Sequence, residues 1–411
     1  MKLSKMIPAA FAATVALALA NTVSAATLYV NPDGVCGGNS PCYTTIQAAI
    51  NAANNGDTIK VADATYNESV NINKSLDLQG AQAGVDARTR SGAESVINAA
   101  CSPIQINADN VTLDGFTVQG STQSDPCTIA GIWMNPGGFG FAGGAQIINN
   151  IIQNNISGIE LDNSGALPAK VQYNLIRSNN NPGPGSGNGI EVDFGLVNAT
   201  IDNNTFIGQT SSSMVVEAPA SMVTISNNTL DTGIALFTTT NSTITGNSSI
   251  GNTADGTIYL GGGDSGITIS SNVLNNGVEG VVVEDPYGVG ANSAITLSPN
   301  NCIAGNSTNG LRVAHAGYTG SLSAISNWWG ATSGPNYNGS GPGTGDKITD
   351  PDHVVTFTPF LTSRTGTPCA PPPVGPPTNK DQCKNGGWQT FNTPRTFKNQ
   401  GDCIQYVNTG K

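Results

Sequence analysis

Ile201-Asp202-Asn203-Asn204-Thr205-Phe206 is followed by Ile225-Ser226-Asn227-Asn228-Thr229-Leu230, then by Ile244-Thr245-Gly246-Asn247 and Ile269-Ser270-Ser271-Asn272-Val273-Leu274. Upstream, Val171-Gln172-Tyr173-Asn174-Leu175-Ile176 has the same form: a β-branched strand, a small or polar residue, Asn, and a second short apolar run. Taking Asn150, Asn174, Asn204, Asn228, Asn247, Asn272 and Asn300 as matching positions, the steps are 24, 30, 24, 19, 25 and 28 residues. Irregular periods in the twenties, built of short strands and Gly/Asn turns, predict a coil of stacked β rungs. A β-propeller needs antiparallel blades near 40 residues or more, which the shorter, uneven step disfavours. In a stack with about 4.8 Å between rungs, Asn amides repeated at one corner can bond to each other as a ladder, so these residues are expected to be structural.

Composition agrees. Of 411 residues 51 are Gly and 47 Asn, and only 10% are charged, against about 25% in an ordinary soluble domain. Such a chain is poor in helix formers and rich in residues that tolerate left-handed backbone, which excludes an all-α fold or a charged coiled coil. Hydrophobic residues still make up 38%, enough for a continuous core. The formal charge of −11 argues against nucleic acid as a partner.

Residues 1–25 have the pattern of a secretory signal peptide: Lys2 and Lys5, the apolar run Ile7 to Ala20, and Val23-Ser24-Ala25 before Ala26. The run is shorter than the roughly 20 residues a membrane span requires, so a secreted, extracellular, periplasmic or cell-surface protein without an integral membrane segment is expected, acting as a monomer. Eight cysteines in an exported chain suggest disulfides, and closeness in sequence pairs Cys36 with Cys42, Cys101 with Cys127 and Cys383 with Cys403, leaving Cys302 with Cys369. The expected organisation is a β-solenoid domain over 26–365, a Pro-rich linker over 366–380 and a small Cys module over 381–411 that needs its disulfide as a staple. A solenoid exposes apolar ends. Thr44-Thr45-Ile46-Gln47 reads as a capping box opening a short helix over the first rung, and Asn327-Trp328-Trp329-Gly330 reads as cover for the last.

Four segments carry a resemblance: Thr45-Ile46-Gln47-Ala48-Ala49-Ile50, Gly56-Asp57-Thr58-Ile59, Ala64-Thr65-Tyr66-Asn67-Glu68-Ser69-Val70 and Lys74-Ser75-Leu76-Asp77-Leu78-Gln79-Gly80. They resemble the opening block of right-handed, single-stranded parallel β-helix proteins of the pectate-lyase-like superfamily, over roughly residues 27 to 360, with Ala64 where that family usually has Gly. The resemblance implies an all-β right-handed parallel β-helix with an N-terminal capping helix. It includes pectin methylesterases, whose Asp-Phe-Ile-Phe-Gly-Asn-Ala motif is echoed out of register by Asp193-Phe194-Gly195-Leu196-Val197-Asn198-Ala199, without the accompanying Gly-Arg-Pro-Trp block. No catalytic-arginine motif of the superfamily's calcium-dependent lyases carries over, and fold alone names no reaction.

Candidate chemistry lies where strands that follow a Gly are aligned: Gly131-Ile132-Trp133-Met134-Asn135, Gly158-Ile159-Glu160-Leu161-Asp162, Gly189-Ile190-Glu191-Val192-Asp193 and Ser213-Met214-Val215-Val216-Glu217. Strand alternation turns Ile159, Leu161, Ile190 and Val192 inward and predicts Glu160, Asp162, Glu191 and Asp193 as neighbours facing solvent on one sheet. These four are the candidate catalytic and metal-ligating residues, with Ca²⁺ the ion suited to oxygen-only ligands. Trp133, Asn135 and Glu217 are the candidate substrate contacts, walled by the segments 136–145, with Phe139 and Phe141, and 179–188. An extracellular polysaccharide is the expected partner, bound and cleaved by elimination or hydrolysis. Elimination lacks an obvious base, since Lys170 and Arg177 fall on the neighbouring sheet and Arg312 lies several rungs away. The competing expectation is a non-catalytic surface, adhesive or structural solenoid whose acids serve solubility.

Overall fold

The computed structural model describes residues 24–410 apart from 125, 136–141, 253–255, 364–375, 378, 385–387, 389–390 and 392–396. Most of the expected signal peptide and linker, and Cys369, therefore lie outside the described residues.

Each coil contributes one strand to each of three faces, for example Gln146–Ile148, Ile151–Gln153 and Ser157–Glu160, followed in the next coil by Asn163–Gln172, Leu175–Arg177 and Ile190–Val192. The strands stack into three long sheets of 15, 10 and 12 strands, called here first, second and third in chain order within a coil. The pairings are parallel, as in Ile151↔Leu175↔Thr205 on the second sheet and Ile159↔Ile190↔Met214 on the third. Inward residues of matching strands form columns, and Ile132, Ile159, Ile190, Met214, Ile234, Ile258, Val281 and Leu311 make one of them, each no more than 1% exposed. Burial of such side chains, at about 1.5–3 kcal/mol each, is what holds rung to rung.

The corner between the first and second sheets is an asparagine ladder. The Asn174 backbone N–H and side-chain amide both donate to Asn204 Oδ1 (3.1 and 2.9 Å), and Asn204 repeats this toward Asn228, Asn228 toward Asn247, and Asn247 toward Asn272. The next step goes to Asn301 rather than the expected Asn300, and the ladder runs on to Asn327. The reason is conformational: each ladder Asn follows a residue with left-handed backbone, and Asn149, Asn203, Asn227 and Asn300 fill that preceding place at φ 53°, 55°, 53° and 64°. In an Asn-Asn pair the first residue turns the chain and the second bonds along the stack. A shorter ladder occupies the corner between the second and third sheets, where Asn155 donates to Asn179 Oδ1.

The first rung is covered by the helix Ile46–Ala52, whose Ile46, Ala49 and Ile50 are buried. Its N-cap is Thr45, whose hydroxyl accepts from the Ala48 N–H at 3.2 Å. The capping box expected from Thr44 and Gln47 is not formed. Glu68 instead accepts the Ile46 and Gln47 N–H groups at 2.8 and 3.0 Å, and Gln47 reaches across to the Asn71 N–H. At the other end Trp329 is fully buried in the main core and Trp328 packs on Cys302, which accords with a covering role. The apolar run Val111 to Val118 forms two strands, Thr112–Asp114 and Phe116–Gln119, separated by Gly115 at φ 83°. A Cβ there would lie 2.2 Å from the Ala83 nitrogen, so only glycine fits.

Disulfides join Cys36 to Cys42, Cys101 to Cys127 and Cys383 to Cys403. Cys302 is also disulfide-bonded, and its expected partner Cys369 is not among the described residues. In the C-terminal segment Cys383, Phe391, Phe397 and Cys403 form a small cluster of their own beside the helix Gln400–Thr409. No helix among the described residues is long and apolar enough to cross a membrane.

Asn301→Ala should lower stability by about 2 kcal/mol, because it leaves the buried Asn272 backbone N–H without an acceptor and removes the amide bonds to Asn272 and to the Ile269 carbonyl. Asn300→Gly, at the left-handed position, should change it by less than about 0.5 kcal/mol. Chemical denaturation of the two variants checks both.

Candidate functional site

The third sheet presents two outward columns. Trp133, Glu160, Glu191, Val215, Ala235, Tyr259, Val282 and Arg312 are paired rung by rung in the first. Two residues further along each strand, Asn135, Asp162, Asp193, Glu217, Phe237 and Gly261 follow in the second. The Glu217 N–H donates to the Val192 carbonyl at 3.0 Å, which places Asp193 and Glu217 on adjacent rungs. The strand register is thus the one read from the alternation of the aligned segments.

Exposure differs from the expectation. Glu160 and Asp162 are fully buried and Glu191 is 5% exposed, whereas Asp193 and Glu217 are open to solvent. The buried acids still point away from the core, but chain returning over the sheet covers them. The turn Asp193-Phe194-Gly195 folds across two of them: Glu160 Oε1 accepts the Asp193 N–H at 2.9 Å, and Asp162 Oδ1 accepts those of Phe194 and Gly195 at 3.0 and 3.1 Å. Gly185, at φ 65°, lies on Glu191 so closely that a Cβ would stand 2.3 Å from its Oε2. Asn135 is also buried rather than free for a ligand, its amide donating to the Ala142 and Asp162 carbonyls at 2.9 and 2.7 Å. Trp133 is half-buried. Most of the wall expected from 136–145, including Phe139 and Phe141, lies outside the described residues.

Burial without a countercharge sets the electrostatics. Glu160 is pushed far above the usual carboxylate range, first by desolvation and then by Asp162, Asp193 and Glu191. Desolvation also raises Asp162, against the pull of the 194 and 195 N–H groups. Glu191 is pushed up to about 7 by burial and by Asp193, while Ser157 and Asn188 oppose the rise. Asp193 is raised by desolvation, and Glu217 by desolvation and then by Asp193. No ion pair among the described residues involves these acids, and Arg312, the basic member of the column, is held between Glu279 and Glu284 at 2.9 and 2.5 Å. The set therefore carries protons near neutrality or recruits a cation.

The donor set suits a hard cation. Glu160, Glu191 and Asp193 each offer a carboxylate oxygen, all within 4.8 Å of one another, and Oε2 of both Glu160 and Glu191 is buried without a hydrogen-bond partner. Oxygens about 2.4 Å from a common Ca²⁺ lie within that spread.

Alternation would also have located a set of residues that the sequence reading passed over. Below Glu217 the same two columns carry Phe237 and Tyr259, and Tyr287 joins them, with ring centroids of Phe237 5.9 Å from Tyr259 and 5.7 Å from Tyr287. They line an open groove of about 400 Å³ that also touches Asn188, Ser211, Ser212, Val215 and Glu217.

The buried carboxyls have a pH signature. Their pKa values are raised in the folded protein, so between about pH 4.5 and 7 the unfolded chain gives up protons that the folded one keeps, and stability falls as pH rises. Melting temperature should be higher near pH 4.5 than near pH 8. Glu191→Gln should flatten the slope, and Ca²⁺ should raise the melting point at pH 8 but not at pH 4.5, measured calorimetrically with and without chelator.

Residues 130–323 match the family described as the right handed beta helix region. No curated protein matches the chain by sequence. Among solved structures, an alginate lyase from Paenibacillus sp. str. FPU-7 aligns over 76% of this chain and 96% of its own, at 15% identity and a TM-score of 0.42. The pectate lyase Pel9A aligns over 84% and 80%, at 16% identity and 0.39. A mannuronic acid specific polysaccharide family 6 lyase from human gut microbiota aligns over 94% and 100%, at 11% identity and 0.39. With its parallel three-sheet coil, the chain has the fold of a right-handed parallel β-helix, and residues 130–323 are the part similar to that family.

Proposed function

We propose that this is an exported protein that binds an extracellular polysaccharide along the outer face of the third sheet and cleaves it at the carboxyl cluster. The observation that carries the reading is the pairing of two exposed acids, Asp193 and Glu217, on adjacent rungs at the mouth of an aromatic groove. Backbones about 4.8 Å apart give the scale on which retaining glycosidases hold their carboxyl pair, about 5–5.5 Å. Glu217, raised by desolvation and then by Asp193, is the general acid that gives a proton to the departing glycosidic oxygen. Asp193 meets the anomeric carbon as carboxylate, and water then releases the sugar. Glu160 and Asp162 are positioning residues: their oxygens hold the turn that presents Asp193. Glu191 lies beneath, its carboxyl pushed up to about 7 by burial and by Asp193.

A second reading of the same acids is Ca²⁺ binding by Glu160, Glu191 and Asp193. Such an ion would neutralise a uronate carboxylate and acidify its α-proton for β-elimination. Arg312 is tied to Glu279 and Glu284 and so does not serve as the base that elimination requires. Hydrolysis is the reading preferred here. The non-catalytic alternative, a surface or adhesive solenoid, draws on the fact that Glu160 and Asp162 have structural hydrogen bonds to make.

A panel of neutral and uronic polysaccharides, assayed for reducing ends and for ultraviolet-absorbing unsaturated products with and without chelator, tests the proposal. Reducing ends without unsaturation are expected. Asp193→Asn and Glu217→Gln should each lower the rate at least about 100-fold with melting temperatures unchanged. Unsaturated products that vanish with chelator would instead establish elimination, and no product from any glycan would leave the adhesive reading.

A further inference from the structure

The groove below Glu217 has a chemistry of its own. Its apolar floor is Phe237, Tyr259 and Tyr287, the last 73% exposed, and its polar rim is Ser211, Ser212 and Asn188. The floor is built: a Cβ on Gly261 would lie 2.0 Å from Phe237 Cε1, so the Phe237 ring lies across the next rung only because residue 261 has no side chain. The Tyr259 hydroxyl is fixed by donating to Glu284 at 2.7 Å. Glu191, Val215, Ala235 and Tyr259 occupy successive rungs, so the shelf begins within about 14 Å of the acids, along the solenoid axis. A linear glycan lying along that axis touches both.

Charge selects its occupant. No lysine or arginine lines the groove among the described residues. The nearby Arg312 donates to both Glu279 and Glu284, leaving that triad net negative, and Glu217, Asp193 and Glu191 stand at the upper end. A uronate carboxylate would find no lysine or arginine to pair with and would meet the negative charge of Asp193 and of that triad. The C–H faces of an uncharged pyranose gain aromatic contact and meet hydroxyl and amide partners at the rim. We propose that this aromatic groove is a subsite for an uncharged stretch of glycan, so that the chain is neutral rather than uronic where it crosses Phe237, Tyr259 and Tyr287. The proposal rests on the polysaccharide reading above and narrows its substrate class.

Isothermal titration of the mature Asp193→Asn protein, in chelator, with gluco-, xylo- and mannohexaose and with hexagalacturonate tests it. At least one neutral hexamer should bind roughly tenfold or more tighter than the uronate. Tyr287→Ala and Gly261→Ala, the second of which displaces Phe237 without deleting an aromatic ring, should each weaken it about 5- to 10-fold at unchanged melting temperature. Uronate binding as tight as the neutral sugars, neutral binding indifferent to both shelf variants, or no binding of any hexamer would overturn the subsite. Neutral binding that depends on the shelf in a protein whose wild type cleaves nothing would uphold the subsite and remove the cleavage reading. Cleavage that depends on Asp193 alongside binding indifferent to the shelf would do the reverse.

Discussion

Parallel stacking in a fixed register is the constraint on which the rest of this molecule depends. Adjacent rungs lie about 4.8 Å apart, so residues separated by 19 to 30 positions in the chain become neighbours. A slip by one residue would exchange the inner and outer faces of a whole strand. Two forces hold the register. Inward Ile, Leu and Val columns reward correct stacking, and the buried amides from Asn150 to Asn327 penalise any other by leaving donors unpaired. Each ladder amide also accepts a backbone N–H of the previous coil, so the corner and the ladder form together.

The same register creates the electrostatic tension of the third sheet. Glu160, Asp162 and Glu191 would be ordinary solvated acids on an open face. The turn at 193–195 and the segment around Gly185 cover them, trading hydration for backbone N–H bonds that satisfy only some of their oxygens. Protons or a bound cation must supply the missing compensation. Exposure is left to Asp193 and Glu217, and this division into a buried supporting layer and an exposed pair is what gives the cluster a direction.

Much of this was legible in the residues. Repetition of Asn with β-branched flanks reveals the coil, and the alternation after Gly131, Gly158 and Gly189 places the acids correctly in adjacent rungs. The rest depends on chain outside the strands. Alternation assigns a side chain to a face and says nothing of what lies over that face, so the burial of Glu160, Asp162, Glu191 and Asn135 was invisible. Asn300 and Asn301 are the same residue type, and only the left-handed backbone of the first separates their duties. The helix start at Thr45 found its carboxylate partner in Glu68, 22 positions from Ile46, where a local motif suggested Gln47. Phe237 and Tyr259 stood in plain alternation, and Tyr287 sits in a loop that no periodicity reaches.

The ladder fixes only one corner of each coil, and the distance between successive ladder residues ranges from 19 to 30. Length added elsewhere in a coil leaves the stack undisturbed and emerges as a loop beside the third sheet, as the segment around Gly185 does. Insertions and deletions there can reshape the walls of the groove while the spine keeps its geometry, so the contour of that face is free to diverge at little cost to folding.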